Sequence, residues 1–137
     1  MSQIILINKK IKKFNQSIKV SGDKSLSIRW VLFSSLADGV STAKNLLMSE
    51  DVIAAIKTIQ KLGIKVYVNK NICKIHGAGI NGYRYKKNLK INAQNSGTLG
   101  RLILGLLSNS PFPIKIIGDK SLSKRDFKRI ADPLKKF

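Results

Sequence analysis

The octapeptide Gly22-Asp23-Lys24-Ser25-Leu26-Ser27-Ile28-Arg29 returns as Gly118-Asp119-Lys120-Ser121-Leu122-Ser123-Lys124-Arg125, identical at seven of eight positions. Between the two lies a third relative, Gln94-Asn95-Ser96-Gly97-Thr98-Leu99-Gly100-Arg101. Each follows a short β-prone run. Each sets small residues with exposed backbone N–H groups beside an arginine at or just inside an expected helix start. Free amides, the positive end of a helix dipole and a guanidinium together hold anions, the guanidinium adding a two-point grip. Three such turns in 137 residues point to a substrate rich in phosphate and carboxylate, and to a fold built from repeats.

The elements that must position these turns follow from periodicity. Lys19-Val20 reads as a strand end feeding the first turn. A largely buried helix is expected over Ser25–Ala37, carrying Leu26, Trp30, Leu32, Phe33 and Leu36, and stopped by Asp38-Gly39. Thr42–Leu47 reads as a short strand. Ser49 is an N-cap candidate, with Glu50 and Asp51 favourable to the dipole of the next helix. That helix sets Val52, Ala55, Ile56, Ile59 and Leu62 on one face and ends at Gly63. Two alternating strands follow, from Ile64 to Val68 and from Ile72 to His76, joined by Asn69-Lys70-Asn71. The order βαβαββ then restarts, with a strand at Lys90–Asn92, a helix at Ser96–Leu107, a strand at Ile114–Ile117 and a helix from Arg125 to about Leu134, weakened by Pro133. Aligning Arg29 with Arg101 sets Leu46-Leu47 near Ile117-Gly118, so the repeat is one of architecture as well as of words. In this scheme the first octapeptide opens the first helix of its unit and the second opens the second helix of its own. The fold class is therefore α/β (α+β), with one complete unit over 20–77 and part of another over 88–137. The chain stops at Phe137 where two further strands should follow, so a shortage of core is expected.

Composition is that of a globular protein with a modest core, 43% hydrophobic and 24% charged. There is no apolar run of about 18 residues for a membrane span, and the N-terminus does not read as a signal peptide. The one cysteine, Cys73, rules out an internal disulfide and any cysteine-cluster metal site, and fits a reducing cytoplasm. A net charge of +19 invites a nucleic-acid reading. However, lysines outnumber arginines 21 to 5 and are scattered, without interleaved aromatics to stack on bases. Ile, Lys and Asn supply 50 of the 137 residues, the pattern of AT-rich codons, so no specific nucleic-acid partner is expected. His76 reads as a surface histidine, Trp30 as core and Cys73 as an inert strand thiol.

Four stretches resemble the N-terminal part of the enolpyruvylshikimate-phosphate (EPSP) synthase family, the 3-phosphoshikimate 1-carboxyvinyltransferases. They are Gly22–Arg29, Asn45–Val52, Asn95–Thr98 with Arg101, and Gly118–Arg125, in the family's order and spacing. The resemblance covers nearly all of the chain from Val20 onward and only the opening third of the family's longer chain. It implies repeated βαβαββ units of an inverse α/β barrel, with residues 1–19 an arm of a second domain and 20–137 a partial N-terminal domain. It also implies transfer of the enolpyruvyl group from phosphoenolpyruvate to the 5-hydroxyl of shikimate 3-phosphate with release of phosphate. No cofactor, metal or membrane is implied. The complete protein would be a cytoplasmic monomer, and this portion alone inactive.

Residue by residue, the resemblance sets Lys24 between the two substrates as a catalytic charge, with Ser25 and Arg29 on shikimate 3-phosphate. Asn95, Gly97 and Arg125 would lie on phosphoenolpyruvate, Gly97 because a side chain there would push into the ligand. Glycine there also implies sensitivity to glyphosate. Arg101 matches a family arginine in a supporting role. Two departures stand out. Asp126 replaces the proline usual after Arg125, and the family's acid/base carboxylates have no counterpart among the seven acidic residues here. Two alternatives remain beside this reading. One is a non-catalytic anion- or nucleic-acid-binding module of the same ancestry. The other is the related UDP-amino-sugar enolpyruvyl transferase, whose reactive cysteine would fall in Leu122–Arg125, where there is none.

Overall fold

The computed structural model describes residues 17–137 without interruption, together with residues 4, 6, 8–10, 13 and 15. Much of the expected arm over 1–19 lies outside the described residues. Among the described residues no strand forms at Lys19-Val20; the Val20 carbonyl accepts a long 3.4 Å bond from the Asn45 side chain instead of a ladder. The first described element is α1, Lys24–Leu36, started by Asp23, whose carboxylate accepts the Leu26 N–H at 2.7 Å. The buried face of α1 is Ile28, Val31, Leu32 and Ser35, the i, i+3, i+4, i+7 pattern of a one-sided helix. Leu26 and Phe33 are exposed, at 62% and 60%, and Trp30 is only half-buried, which corrects the expectation of a largely buried helix carrying these residues.

Strand β1 spans Asp38–Lys44, four residues earlier than the expected Thr42–Leu47. Its register comes from β3, which it meets from Asp38↔Ala78 to Lys44↔Ile72. Asn45 then turns to φ 59, so Leu46 and Leu47 leave the ladder. Asp38 and Gly39 are inside the strand; it is Ala37, extended at ψ 153, that ends α1. Helix α2, Glu50–Lys61, buries Val52, Ala55, Ile56 and Ile59, as the spacing requires. Ser49 holds the cap position without a side-chain cap bond, and Gly63 follows at φ +88 as the left-handed exit. Strands β2, Lys65–Asn69, and β3, Ile72–Ala78, complete an antiparallel sheet of order β1-β3-β2. Cys73 and Ile75 point into the core, while Lys74 and His76 point to solvent.

The second unit is smaller. Strands β4, Lys90–Asn92, and β5, Lys115–Ile117, pair in parallel, with helix α3, Gly97–Leu106, as the crossover between them. The chain closes with a 3₁₀ turn at Leu122–Lys124 and a short helix α4, Lys128–Leu134. Arg125 is extended and precedes the helix instead of opening it. Residues of both units share one core, in which Ile28, Val31, Ile59 and Ile75 meet Ile91, Leu99 and Ile103.

The two octapeptides begin alike and end differently. Asp119 caps Leu122 N–H at 2.6 Å just as Asp23 caps Leu26, and Ser123 N–H donates to the Asp119 carbonyl as Ser27 N–H does to that of Asp23. Their one difference follows immediately. Ile28 is fully buried and carries α1 onward across the core, whereas Lys124 is exposed and gives the second turn nothing to pack. The second segment therefore stops after one 3₁₀ turn.

Candidate functional site

The first anion turn is stitched to the start of α2. Gly22 has no room for a side chain, because a Cβ would collide with the Asn45 carbonyl and come within 3.0 Å of the Leu47 nitrogen. Ser27 Oγ donates to the Asp23 carbonyl at 2.6 Å and accepts the Leu47 N–H at 3.1 Å. These contacts bring the N-termini of α1 and α2 together, and Lys24 Nζ lies 3.1 Å from Asp51 Oδ2. The lysine side chain is 55% exposed and the aspartate 16%, so the carboxylate is the fixed partner and the ammonium faces outward from it. Ser25 is half-buried one residue on, and Arg29 lies exposed on the same stretch of α1. Among the described residues neither side chain has a hydrogen-bond partner.

The second cluster joins two distant turns. The Asp119 N–H donates to the Gln94 carbonyl at 2.9 Å, docking Gly118–Arg125 against the loop before α3. Ser96 caps α3 through the Leu99 N–H at 3.2 Å. Arg125 donates from Nη2 to Asn95 Oδ1 at 2.7 Å, and its Nη1 lies 2.8 Å from where a Gly97 Cβ would stand. Arg101 Nη1 is 3.6 Å from that same point. Its guanidinium rests over the Phe127 ring at 5.7 Å, and Nη2 makes a long 3.4 Å bond to the Asp126 carbonyl. Asp126, which stands where the family usually has proline, turns its carboxylate to the Lys128 N–H at 2.7 Å, just ahead of α4.

Asn95, Gly97 and Arg125 thus come together, whereas Lys24, Ser25 and Arg29 are neighbours only along the first turns of α1. No hydrogen bond or ion pair among the described residues links the two groups; α1 and α3 pack against each other between them. A cleft of ≈ 420 Å³ lies between α2 and the end of β4, lined by Glu50, Lys57, Asn92 and Gln94 among others, and contains none of these six residues. All six residues therefore lie outside that cleft. Sequence reasoning missed the pairing of Asp51 with Lys24, which joins residues on different helices. It also missed the position of Arg101, whose spacing of four from Gly97 was the available signal, since side chains four apart share a helix face. Among the described residues no three His, Cys, Asp or Glu gather as a metal site, and no helix is long and apolar enough to cross a membrane.

Residues 8–137 match the family model described as EPSP synthase (3-phosphoshikimate 1-carboxyvinyltransferase). The chain belongs to the EPSP synthase family. It is 42% identical over 124 residues to the 3-phosphoshikimate 1-carboxyvinyltransferase of Bacillus cytotoxicus, covering 90% of this chain and 29% of that protein. The enzyme of the same name from Streptococcus sanguinis is 42% identical over 125 residues, 91% of this chain and 29% of its own. In three dimensions the chain superposes on the EPSP synthase of Acinetobacter baumannii with a TM-score of 0.80 at 36% identity, over 87% of this chain and 27% of that one. The chain thus spans about 29% of the length of these curated EPSP synthases and forms part of the family's inverse α/β barrel.

Proposed function

We propose that this chain supplies the substrate-gripping wall of a 3-phosphoshikimate 1-carboxyvinyltransferase. In that reaction the 5-hydroxyl of shikimate 3-phosphate gives up its proton as its oxygen adds to C2 of phosphoenolpyruvate, while C3 gains a proton and becomes a methyl group. The tetrahedral intermediate then loses one methyl proton and inorganic phosphate to give the enol ether. Lys24 stands over the reacting centre and offsets charge on the phosphate; Asp51 holds its ammonium in place. Ser25 and Arg29 grip shikimate 3-phosphate from the same helix face. Arg125, oriented by Asn95, clamps phosphoenolpyruvate above Gly97.

The observation that carries this reading is the convergence of Asn95, Gly97 and Arg125 from segments 30 residues apart in sequence. Four carboxylates near these residues are committed: Asp23, Asp119 and Asp126 accept backbone N–H groups, and Asp51 pairs with Lys24. In this reading the chain contributes binding and electrostatics, and the proton-transfer groups come from other parts of the enzyme. A cytoplasmic setting goes with this reading, supported by a free, buried thiol at Cys73. Calorimetric titration of the 137-residue chain with shikimate 3-phosphate tests it. Binding that Arg29→Ala abolishes is expected; equal binding by parent and variant would refute the assignment.

A further inference from the structure

Two guanidinium groups converge above Gly97, and they are held in parallel ways. Arg125 uses Nη2 on Asn95 Oδ1, and Arg101 uses Nη2 on the Asp126 carbonyl. Each leaves Nη1 facing the same point, 2.8 Å and 3.6 Å away. The Phe127 ring under Arg101 fixes the plane of the second group. No carboxylate neutralises either one: the ion pairs among the described residues are Lys24–Asp51 and Lys135–Asp132, and the Asp126 carboxylate is turned to Lys128. Two like charges fixed side by side repel, and a bridging anion of double charge relieves that repulsion better than a single one.

We propose that Arg101 is the second guanidinium of the anion site above Gly97, and that the pair makes this site selective for a phosphomonoester dianion. This rests on the reading of Asn95, Gly97 and Arg125 as the phosphoenolpyruvate site. Arg101 reaches Gly97 because it lies one helical turn along α3, its side chain leaning toward the helix N-terminus. Arg101 and Arg125 then hold different oxygens of one phosphate, while Gly97 leaves the space between them open. A monoprotonated phosphate offers one fewer charged oxygen and loses half of this grip.

The test uses the 137-residue chain and phosphoenolpyruvate as the probe, with affinity measured by titration at several pH values between 5 and 8, across the second ionisation of the phosphate at about pH 6. In the parent chain affinity rises as the dianion forms. Arg101→Gln is expected to weaken binding about tenfold and to flatten the rise with pH. Arg101→Lys keeps the charge and should restore the pH dependence at reduced affinity; a role in packing on Phe127 alone would leave Lys no better than Gln. Parent-like affinity and pH profile in Arg101→Gln, with binding abolished in Arg125→Gln, would overturn this inference and leave the underlying site standing. Binding that survives in Arg125→Gln, or no binding by the parent chain, would overturn both.

Discussion

Gly97→Ala separates the stability of the fold from its function. Gly97 is the buried first residue of α3 and its φ is ordinary, so alanine meets no backbone strain. Helix propensity favours alanine by up to about 1 kcal/mol, less at a first position than in the interior. The new methyl would stand 2.8 Å from Arg125 Nη1, closer than real contacts allow, and the next nearest atom, Arg101 Nη1, is 3.6 Å away. What yields is the tip of a flexible side chain, so the fold tolerates the change and Arg125 retreats by several tenths of an ångström. That retreat stretches the 2.7 Å bond to Asn95, a charge-assisted hydrogen bond in an exposed setting. Its loss is worth about 1 to 1.4 kcal/mol, or roughly five- to tenfold in phosphoenolpyruvate affinity. Glyphosate, being longer, is expected to lose more than phosphoenolpyruvate does. Denaturant unfolding and titration with both ligands in the presence of shikimate 3-phosphate make the comparison. Unchanged affinity for both, or destabilisation beyond about 1 kcal/mol, would refute the reasoning.

Four other outcomes are expected. Asp51→Asn should change stability by less than about 1 kcal/mol, because its partner Lys24 is 55% exposed, while loosening shikimate 3-phosphate through an unanchored lysine; paired unfolding and titration experiments check this. Gly22→Ala should destabilise by about 2 kcal/mol or more in denaturant unfolding, since its Cβ meets the Asn45 backbone and no side chain can move away. Burial raises both the Cys73 thiol and the Tyr83 phenol, the latter against a smaller lowering by its bond to Ser35. A raised folded value means the stabilisation is complete at neutral pH and lost as pH climbs past about 9 through the raised values; Cys73→Ala with Tyr83→Phe should flatten that alkaline loss in a pH series of unfolding curves. Finally, Leu26 and Phe33 at 62% and 60% exposure should bind a hydrophobic dye, and replacing both by serine should lower its fluorescence without lowering stability by more than about 0.5 kcal/mol.

The elements legible in the sequence were those whose local signals agree with their tertiary setting. Helix α2 shows one apolar face and a glycine at its end, and β3 alternates after a turn with Lys70 at φ 47; β2 does not hold its expected alternation, since Val68 is exposed. β1 was misplaced because its register is dictated by β3, whose paired residues lie 28 to 40 positions away, and by the unusual φ of Asn45. The second octapeptide misled for a different reason. The Asp119 cap is local and matches that of Asp23, but helix continuation depends on what the next side chain can bury, and Lys124 has nothing to bury. The same holds for α1, where Leu26 and Phe33 lie on the face that no described element covers. At the site, residues close in sequence were found by spacing. The convergence of Asn95 with Arg125 was implied by family likeness rather than by spacing, and the Lys24–Asp51 pair was not anticipated at all.

The central claim is that two specific turns, and not the lysine-rich surface at large, hold the substrates. Backbone and arginine side-chain NMR of the 137-residue chain, titrated with shikimate 3-phosphate and phosphoenolpyruvate at physiological salt, tests this directly. Shifts concentrated at Lys24–Arg29 for the first ligand, and at Asn95–Gly97 with Arg125 for the second, are predicted. Shifts scattered over exposed lysines and erased by modest added salt would contradict the account, since diffuse surface attraction is screened in that way.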